Sequence, residues 1–246
     1  MFHIFNKKRF LVDALGGFVD IHNHILPGID DGAKTVKDSV DLIKEFASFG
    51  VTNFIATPHI MQDYYPNTKA TIHGSLHTLK SELLNKGLTH IAVDAAAEHM
   101  IDARFEELIE QKEILPLRTE YLLVEMSYLE ASLNFEDAIQ KVTSSGLFPV
   151  LAHPERYGYL HHKRSKFHEY KKNGVLFQLN LLSLSDYYGK EIQKTGNYLL
   201  NNELIDFVGS DIHNTHQLMA LKEIRISKSL MEKVYPLIQN TINAFY

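Results

Sequence analysis

The 246-residue sequence contains no cysteine. A chain without cysteine has no thiolate nucleophile, no disulfide bond, and no sulfur ligand for zinc or an iron–sulfur cluster. Whole classes of enzyme mechanism and of metal site are therefore excluded before any motif is considered.

An excess of positive charge and a long apolar run are also missing. Lys and Arg number 25 against 30 Asp and Glu, a formal net charge of −5, which argues against a general nucleic-acid binder. No apolar run approaches the ~20 residues of a membrane-spanning helix. Asp13 and the pair Gly16-Gly17 interrupt the apolar start that a signal peptide would need. We expect a cytoplasmic protein with no membrane span and no nucleic-acid partner.

Apolar, β-branched runs alternate with segments of helical periodicity, the pattern of a parallel α/β protein. Seven runs end in polar residues: Phe18–His24, Asn53–His59, Ile91–Glu98, Tyr121–Glu125, Phe148–His153, Val175–Asn180 and Ile205–His213. Helices are predicted at Thr35–Phe49, Leu76–Lys86, Phe135–Ser145 and Phe167–Asn173. Glycines in the left-handed conformation are expected to end them, at Gly50, Gly87, Gly146 and Gly174.

Seven βα units fit either an open doubly wound sheet or a closed barrel. Functional side chains of barrel enzymes gather at the carboxyl ends of the strands, and nearly every run here ends in His, Asp or Glu. We therefore expect an α/β fold in a single domain over residues 1–246, with a barrel over about 18–225. The helical segment from His216 to Tyr246 is expected to pack outside that barrel.

The first run contains His22-Asn23-His24, and strand alternation would place both imidazoles on one face, where they could share a metal ion. Two hydrogen-bonded structural histidines are an equally good interpretation of this motif alone. Asp30 and Asp31 follow, and at least one of them could instead cap a helix N-terminus.

The other runs end in residues of the same types. Taken singly, each has a structural explanation. Taken jointly, histidines and carboxylates at six strand ends would leave desolvated acids that repel one another unless cations lay among them. We therefore predict a multinuclear metal centre, whose nitrogen and oxygen donors suit Mn²⁺, Fe or Zn²⁺. The further candidate ligands are His59, Glu98, Glu125, His153, Asp211 and His213. Arg156 is a separate candidate, because its planar guanidinium can donate paired hydrogen bonds to a phosphate or a carboxylate.

Four motifs resemble the polymerase-and-histidinol-phosphatase (PHP) superfamily over roughly residues 18–225: Asp20-Ile-His22-Asn-His24 continuing to Asp30-Asp31-Gly32, Ala56-Thr-Pro-His59, His153-Pro-Glu-Arg156-Tyr157 and Ser210-Asp211-Ile-His213-Asn214. Within it, the chain is most similar to the bacterial metal-dependent protein-tyrosine phosphatases of capsular and exopolysaccharide synthesis. The resemblance implies a distorted, TIM-like (β/α)7 barrel that holds three divalent metals, manganese foremost.

The resemblance also implies roles for individual residues. His22, His24, Glu98 and Asp211 would hold the first metal, and Asp31, His59 and His213 the second. Glu98 would bridge to a third metal, completed by Glu125 and His153. Arg156 would bind the substrate phosphate and act with Asp211 and His213 in catalysis. Asp31 is chosen over Asp30 because of the family's spacing.

The activity implied is hydrolysis of phosphotyrosine in proteins, with a bacterial tyrosine kinase as a possible partner. Three divalent ions and four carboxylates leave the site near +2, which matches a phosphate dianion, and such ions lower the pKa of bound water towards ~7. Tyr64, Tyr65, Tyr157 and Tyr159 either line the mouth, where they would stack on an aromatic substrate, or simply pack.

Four alternatives stay open. The first is a small-molecule phosphatase, such as one acting on histidinol phosphate. The second is an amidohydrolase, which would normally have a modified lysine where this chain has Glu125. The third is a non-catalytic metal-binding module, and the fourth is a nuclease. His99 and His216 lie near the motifs without an assigned role.

Overall fold

A computed structural model of the protein describes residues 8–246. The strands are β1 Arg9–Phe10, β2 Val19–Asp20, β3 Asn53–Ala56, β4 His59–Ile60, β5 Ala92–Ala95, β6 Glu98–Met100, β7 Tyr121–Glu125, β8 Phe148–Ala152, β9 Leu176–Asn180, β10 Phe207–Gly209 and β11 Arg225–Ile226. The α-helices are α1 Val36–Ala47, α2 Lys69–Asn85, α3 Phe105–Glu110, α4 Phe135–Ser144, α5 Ser165–Lys172, α6 Lys190–Asn201, α7 Thr215–Glu223 and α8 Lys228–Phe245. The first seven residues, part of the start that suggested a cytoplasmic protein, lie outside this range.

The parallel strands follow one another around a barrel in chain order. One sheet has the order β10-β9-β8-β7-β6-β4 and a second has β2-β3-β5. The sheets join where the second and third predicted runs break into β3/β4 and β5/β6. The ring closes between the first and last runs, where the Asp211 N–H donates to the His22 carbonyl at 2.7 Å and Asn23 bridges Ile212. The predicted (β/α)7 barrel is confirmed.

Several predicted runs are longer than the strands they contain. β2 ends at Asp20 and β10 at Gly209, so His22 and His24 lie beyond the regular strand. Both imidazoles nevertheless belong to one donor group with Asp211, as expected of two histidines that could share a metal ion. Glu98 begins β6 instead of ending a strand. At Pro58 the second run loses a backbone donor, because proline has no N–H. The chain therefore leaves regular strand geometry before most of the candidate ligands, whereas His59, Glu98 and Glu125 lie within β4, β6 and β7.

The helices agree better with the sequence pattern. The four glycines predicted to end helices all have positive φ, at 89°, 70°, 82° and 83°. α2 begins earlier than predicted because Thr68 caps it, and α3 and α6 were not predicted. Thr35, whose side chain accepts from the Asp38 N–H, caps α1. The interpretation of Asp30 or Asp31 as a helix cap is therefore wrong.

The apolar side chains of the strands form two sets, one inside the barrel and one between the strands and the helices. Residues at alternate strand positions, such as Leu123, Val150 and Phe207, fill the interior. Their neighbours Leu122 and Leu151 face outwards and pack under the helices. This alternation, with a period of two along each strand, directs Glu125 inwards after Leu123.

The C-terminal region differs from the single outer segment that was expected. β11 pairs with β1 and separates α7 from α8. α8 packs against β2, β10 and α6, and its last residue, Phe245, belongs to the interior cluster. The Phe245 ring contacts those of Tyr121 and Phe207 at 5.1 and 5.0 Å. Helix α8 thus closes the barrel opposite the candidate ligands. Over residues 8–246, no helix has the length and apolar character needed to cross a membrane.

Candidate metal centre

The nine predicted ligands lie together at the carboxyl ends of the barrel strands. Asp211 Oδ1 lies 3.4 Å from both His22 Nε2 and His24 Nε2. Glu98 Oε2 lies 3.3 Å from His22 Nε2 and 3.1 Å from His59 Nδ1, whereas its other oxygen lies 3.1 Å from His153 Nε2. The two oxygens of Glu98 thus face different histidines, as a bridging carboxylate would.

The donor groups that the geometry forms overlap more than the expected division among three metals. His24, Asp31, His59 and His213 make one group, and His22, His24 and Asp211 make a second. The third and fourth share Glu98: one adds His22 and His153, and the other adds His59 and Glu125. His22, His24 and His59 therefore each belong to two groups, which the division by resemblance did not anticipate.

Asp30 and Asp31 have different positions although they are adjacent in sequence. Asp31 is half-exposed, and its Oδ1 lies 3.4 Å from both His59 Nε2 and His213 Nε2. Asp30 is buried; one of its oxygens accepts from the Gly32 N–H at 2.9 Å and the other lies 2.8 Å from His24 Nδ1. A Cβ on Gly32 would lie 2.1 Å from the His24 carbonyl oxygen, so only glycine allows this loop to approach. The geometry suits Asp31 as a ligand and Asp30 as its support.

Two polar residues on the predicted strand Val175–Asn180 were missed. Gln178 Oε1 lies 2.6 Å from His22 Nδ1, and Asn180 Nδ2 donates to Asp211 Oδ2 at 2.8 Å. Groups of this kind fix the orientation of metal ligands. A signal was present, because both amides occupy alternate positions of a buried strand and therefore face the interior.

The buried nitrogen and oxygen atoms of the cluster are better explained as metal ligands than as hydrogen-bond partners of one another. By hydrogen-bond geometry, six buried cluster atoms have no partner among the described residues: His22 Nε2, His24 Nε2, His59 Nδ1, Glu98 Oε2, Glu125 Oε1 and His153 Nδ1. Buried polar atoms are normally paired, so a set of orphans requires an explanation. Except for His153 Nδ1, these atoms belong to the close nitrogen–oxygen contacts of the cluster. Their lone pairs therefore converge on shared points, which suits divalent ions with nitrogen and oxygen ligands.

The charges of these groups stabilise one another strongly. Burial by itself would lower the pKa of His24, yet the carboxylate of Asp30 raises that pKa to about 10. Burial would lower the pKa of His59 too, but Glu125 and Glu98 hold it well above its ordinary value. Against the effect of burial, His22 and His213 hold the pKa of Asp211 well below its usual range. Without metal, protons on the histidines would balance the carboxylates.

Two of the predicted ligands have strained backbone. His153 has φ 36° and Asp211 has φ 54°, both in the left-handed region that side chains with a Cβ avoid. Such conformations cost about 1–3 kcal/mol and persist where the surrounding structure requires them, often at functional sites. Here they turn each side chain into the barrel mouth within two residues of the end of β8 or β10.

Arg156 lies at the edge of a cavity of about 570 Å³ that opens above the cluster. Its Nη1 donates to Asp211 Oδ2 at 2.6 Å. Tyr64, Tyr65 and Leu129 line the same cavity, and Tyr64 and Leu129 are 76 % and 91 % exposed. The cavity thus has a charged floor and an aromatic and apolar rim.

The remaining aromatic and histidine candidates have structural roles. Tyr157 is fully buried: its hydroxyl donates to the Ala152 carbonyl at 3.1 Å and accepts from the Met126 N–H. Tyr159 donates to the Ser127 carbonyl and does not line the cavity.

Burial lowers the pKa of His99 to about 4, and its ring bonds to backbone groups. His216 lies 3.1 Å from the Tyr187 hydroxyl, outside the cluster. Tyr128, which was not singled out, does line the cavity.

The chain is similar to proteins of known type over most of its length. Residues 18–235 match the family described as capsular polysaccharide synthesis, CpsB/CapC. A putative tyrosine-protein phosphatase CapC from Staphylococcus aureus is 31 % identical over 210 residues, covering 84 % of this chain and 81 % of that protein. Tyrosine-protein phosphatase YwqE from Bacillus subtilis is 30 % identical, covering 80 % of this chain and 77 % of that protein.

A solved structure extends the similarity to three dimensions. It comes from work on YwqE of Bacillus subtilis and CpsB of Streptococcus pneumoniae, described there as metal-dependent tyrosine phosphatases. It superimposes with a TM-score of 0.80 at 27 % identity, covering 91 % of this chain and 92 % of that chain. The barrel, and not only short motifs, is therefore shared.

Proposed function

Because the chain belongs to the CpsB/CapC family of capsular polysaccharide synthesis proteins, we propose that it is a metal-dependent protein-tyrosine phosphatase. One observation carries this proposal. A cluster of nine imidazole and carboxylate ligands lies beneath a cavity that Arg156 borders, in a chain that has no cysteine for a thiol-based mechanism.

The proposed ligands are those predicted from the sequence: His22, His24, Asp31, His59, Glu98, Glu125, His153, Asp211 and His213. They fit three divalent ions per chain, with manganese proposed first and iron or zinc as the other candidates. Bound there, the ions would lower the pKa of water and clamp the attacking and leaving oxygens during in-line displacement. Gln178 and Asp30 would hold the rings of His22 and His24 in place.

Arg156 is proposed to bind the phosphate of the substrate. A guanidinium has five N–H donors in a planar fork, and the hydrogen bond to Asp211 uses only part of that fork. Its position at the cavity wall lets the other donors reach a phosphoryl group above the ligands. Asp211 would thus connect the phosphate-binding arginine to the metal ligands. A displacement of Asp211 would therefore change the position of Arg156 as well as the geometry of the metal site.

The leaving group and the shape of the mouth favour a phosphotyrosyl protein. A tyrosine side chain leaves as a phenolate with an ordinary pKa of about 10, which makes it a better leaving group than an alkoxide. The rim formed by Tyr64 and Leu129 is open to a side chain that projects from a protein surface. We propose phosphotyrosyl proteins as substrates, among them a bacterial tyrosine kinase, and a cytoplasmic role in polysaccharide synthesis.

The test compares the manganese-loaded protein with an Asp211→Asn variant, using a phosphotyrosyl peptide and L-histidinol phosphate. We expect turnover of the peptide with a specificity constant at least tenfold above that for histidinol phosphate, and a loss of at least a hundredfold in the variant. Asp94→Asn is the matched control, because Asp94 pairs with Arg118 outside the cluster. Equal peptide turnover by wild type and Asp211→Asn would refute the proposal, and faster turnover of histidinol phosphate would favour the small-molecule alternative.

A further inference from the structure

Two tyrosine rings contact the Arg156 guanidinium. Its central carbon lies 4.7 Å from the centre of the Tyr128 ring and 4.3 Å from that of Tyr188. Both distances are within the range of a cation–π interaction, which strengthens where water is excluded. The two residues, called the aromatic pair below, lie far apart in sequence and outside all motifs noted above.

The aromatic pair restricts an arginine that otherwise has one anchor among the described residues. The hydrogen bond to Asp211 fixes one end of the guanidinium, at Nη1. Both rings lie within contact distance of the guanidinium, and Arg156 also lines the cavity, where its remaining N–H donors can meet a ligand. An arginine held in this way loses little conformational freedom when it binds a phosphate, so binding is stronger.

The hydroxyl of Tyr128 has a partner that it cannot keep in a metal-loaded site. It lies 3.2 Å from His153 Nε2, the same nitrogen that lies 3.1 Å from Glu98 Oε1. The single lone pair of that nitrogen either binds a metal ion or accepts a hydrogen bond. Once His153 serves as a ligand, the Tyr128 O–H needs another acceptor, and it lies in the cavity wall beside Arg156.

We propose that Tyr128 and Tyr188 are phosphate-positioning residues: the hydroxyl of Tyr128 donates to a phosphoryl oxygen, and both rings hold Arg156 for the same phosphate. This rests on the proposed function, because it takes a phosphate monoester as the ligand. The two tyrosines act differently. Tyr128 contributes a donor and a ring, whereas Tyr188 contributes its ring alone.

The experiment measures binding of inorganic phosphate to the manganese-loaded protein by calorimetry, together with KM and kcat for a phosphotyrosyl peptide. Tyr128→Phe keeps the ring and removes the donor, and we expect the Kd of phosphate and the KM to rise about tenfold, since a hydrogen bond to a charged group is lost. We expect kcat to change less than twofold, because the contact is made in the ground state and the transition state alike.

Tyr188→Leu removes the second ring, and Tyr188→Phe is its matched control. We expect Leu to weaken phosphate binding about fivefold and Phe to leave it unchanged. In an Arg156→Gln background, Tyr188→Leu should have no further effect, because there is no guanidinium to hold. Tyr128→Phe should still weaken binding in that background, because its donor acts on the phosphate itself.

Metal content measured on every variant separates positioning from structural damage. Unchanged phosphate affinity in Tyr128→Phe, loss of manganese from that variant, or an undiminished Tyr188→Leu effect without Arg156 would each overturn the inference. Failure of the proposed function looks different. In that case the wild-type protein fails to hydrolyse the peptide, but the phosphate Kd values of the variants still show whether the aromatic pair positions phosphate. If the wild-type protein does not bind phosphate, the inference is overturned as well.

Discussion

At the scale of single residues, the second nitrogen of a ligand histidine determines how its ring is presented. Gln178 contacts His22 at Nδ1, and Asp30 contacts His24 at Nδ1, so the Nε2 atoms of both rings face Asp211. Neither supporting residue needs to touch an ion to matter. Their contribution is to hold each ring in place before a metal arrives.

Replacing Gln178 by Leu should therefore weaken metal binding without unfolding the barrel. We expect a 10- to 100-fold loss of manganese affinity, the usual effect of removing such a partner. Gln193→Leu is the control, because that side chain bonds to the Leu184 carbonyl away from the ligands. Titration with manganese by calorimetry measures both variants, and equal affinities would show that Gln178 does not orient His22.

The pH dependence of metal binding follows from the protons on the histidines. The pKa of His24 is raised to about 10, so an ion must displace a proton from it throughout the neutral range. Manganese affinity should then increase from about pH 6 to about pH 8, by about tenfold per unit for each displaced proton. Calorimetry in buffers of different ionisation enthalpy counts these protons. Asp30→Asn should flatten the dependence, and an affinity independent of pH would contradict the assignment.

The stability of the metal-free protein should decrease as the pH rises, whereas manganese affinity increases. A histidine with a raised folded pKa stabilises the fold fully below its unfolded value near 6.5, and this stability is lost as the pH rises towards about 10. Urea unfolding of the chelated protein should therefore show decreasing stability over that window. Constant stability there would mean that His24 is not charged in the metal-free state.

At the scale of elements, the ends of the strands carry the site and α8 closes the opposite end. Three predicted ligands, His59, Glu98 and Glu125, lie within strands, whereas the others lie in the loops that follow β2, β8 and β10. Two of the loop residues, His153 and Asp211, have positive φ. The apolar interior must therefore supply the rigidity that these ends lack. Phe245 completes that interior from the last turn of α8.

Phe245→Ala should destabilise the barrel and leave the metal site intact. Removal of a fully buried phenyl ring costs about 3–5 kcal/mol in free energy of unfolding. Tyr246→Ala is the control, because Tyr246 is 83 % exposed. Urea unfolding measures the stability, and manganese affinity of the folded variant should change less than twofold. A small stability change for Phe245→Ala would show that the ring does not close the barrel.

At the scale of the whole molecule, the candidate metal centre joins the first run of the barrel to the last. His22 and Asp211 come from opposite ends of the chain and face each other at 3.4 Å, beside the backbone bonds that close the ring. Ions bound between them would link elements that are distant in sequence. Metal binding at this site would therefore raise the free energy of unfolding of the whole barrel.

Chelation should consequently lower the unfolding temperature of the manganese-loaded protein. An ion at a hundred times its Kd contributes about 2.7 kcal/mol to the free energy of unfolding. Calorimetric scans with and without chelator at pH 8 measure the difference, and restored manganese should reverse it. The Asp211→Asn variant should respond much less. An equal response in that variant would show that these ligands do not couple the centre to the fold.

Much of the fold and the set of candidate ligands could be predicted from sequence alone. Alternation of apolar residues is a local property, so the strand–helix order and the four helix-ending glycines could be predicted. Histidines, aspartates and glutamates in motifs indicated the candidate donors, and the lack of cysteine excluded thiolate ligands and nucleophiles. These conclusions need only the neighbours of each residue along the chain.

Only the tertiary structure decided how those donors are shared and supported. The overlap of groups at His24 and His59 depends on how seven strand ends converge when the ring closes. The same closure places Tyr128 and Tyr188 against Arg156 and turns Asp211 through its left-handed backbone. Such contacts join residues remote in sequence, and no local pattern encodes the distances between them.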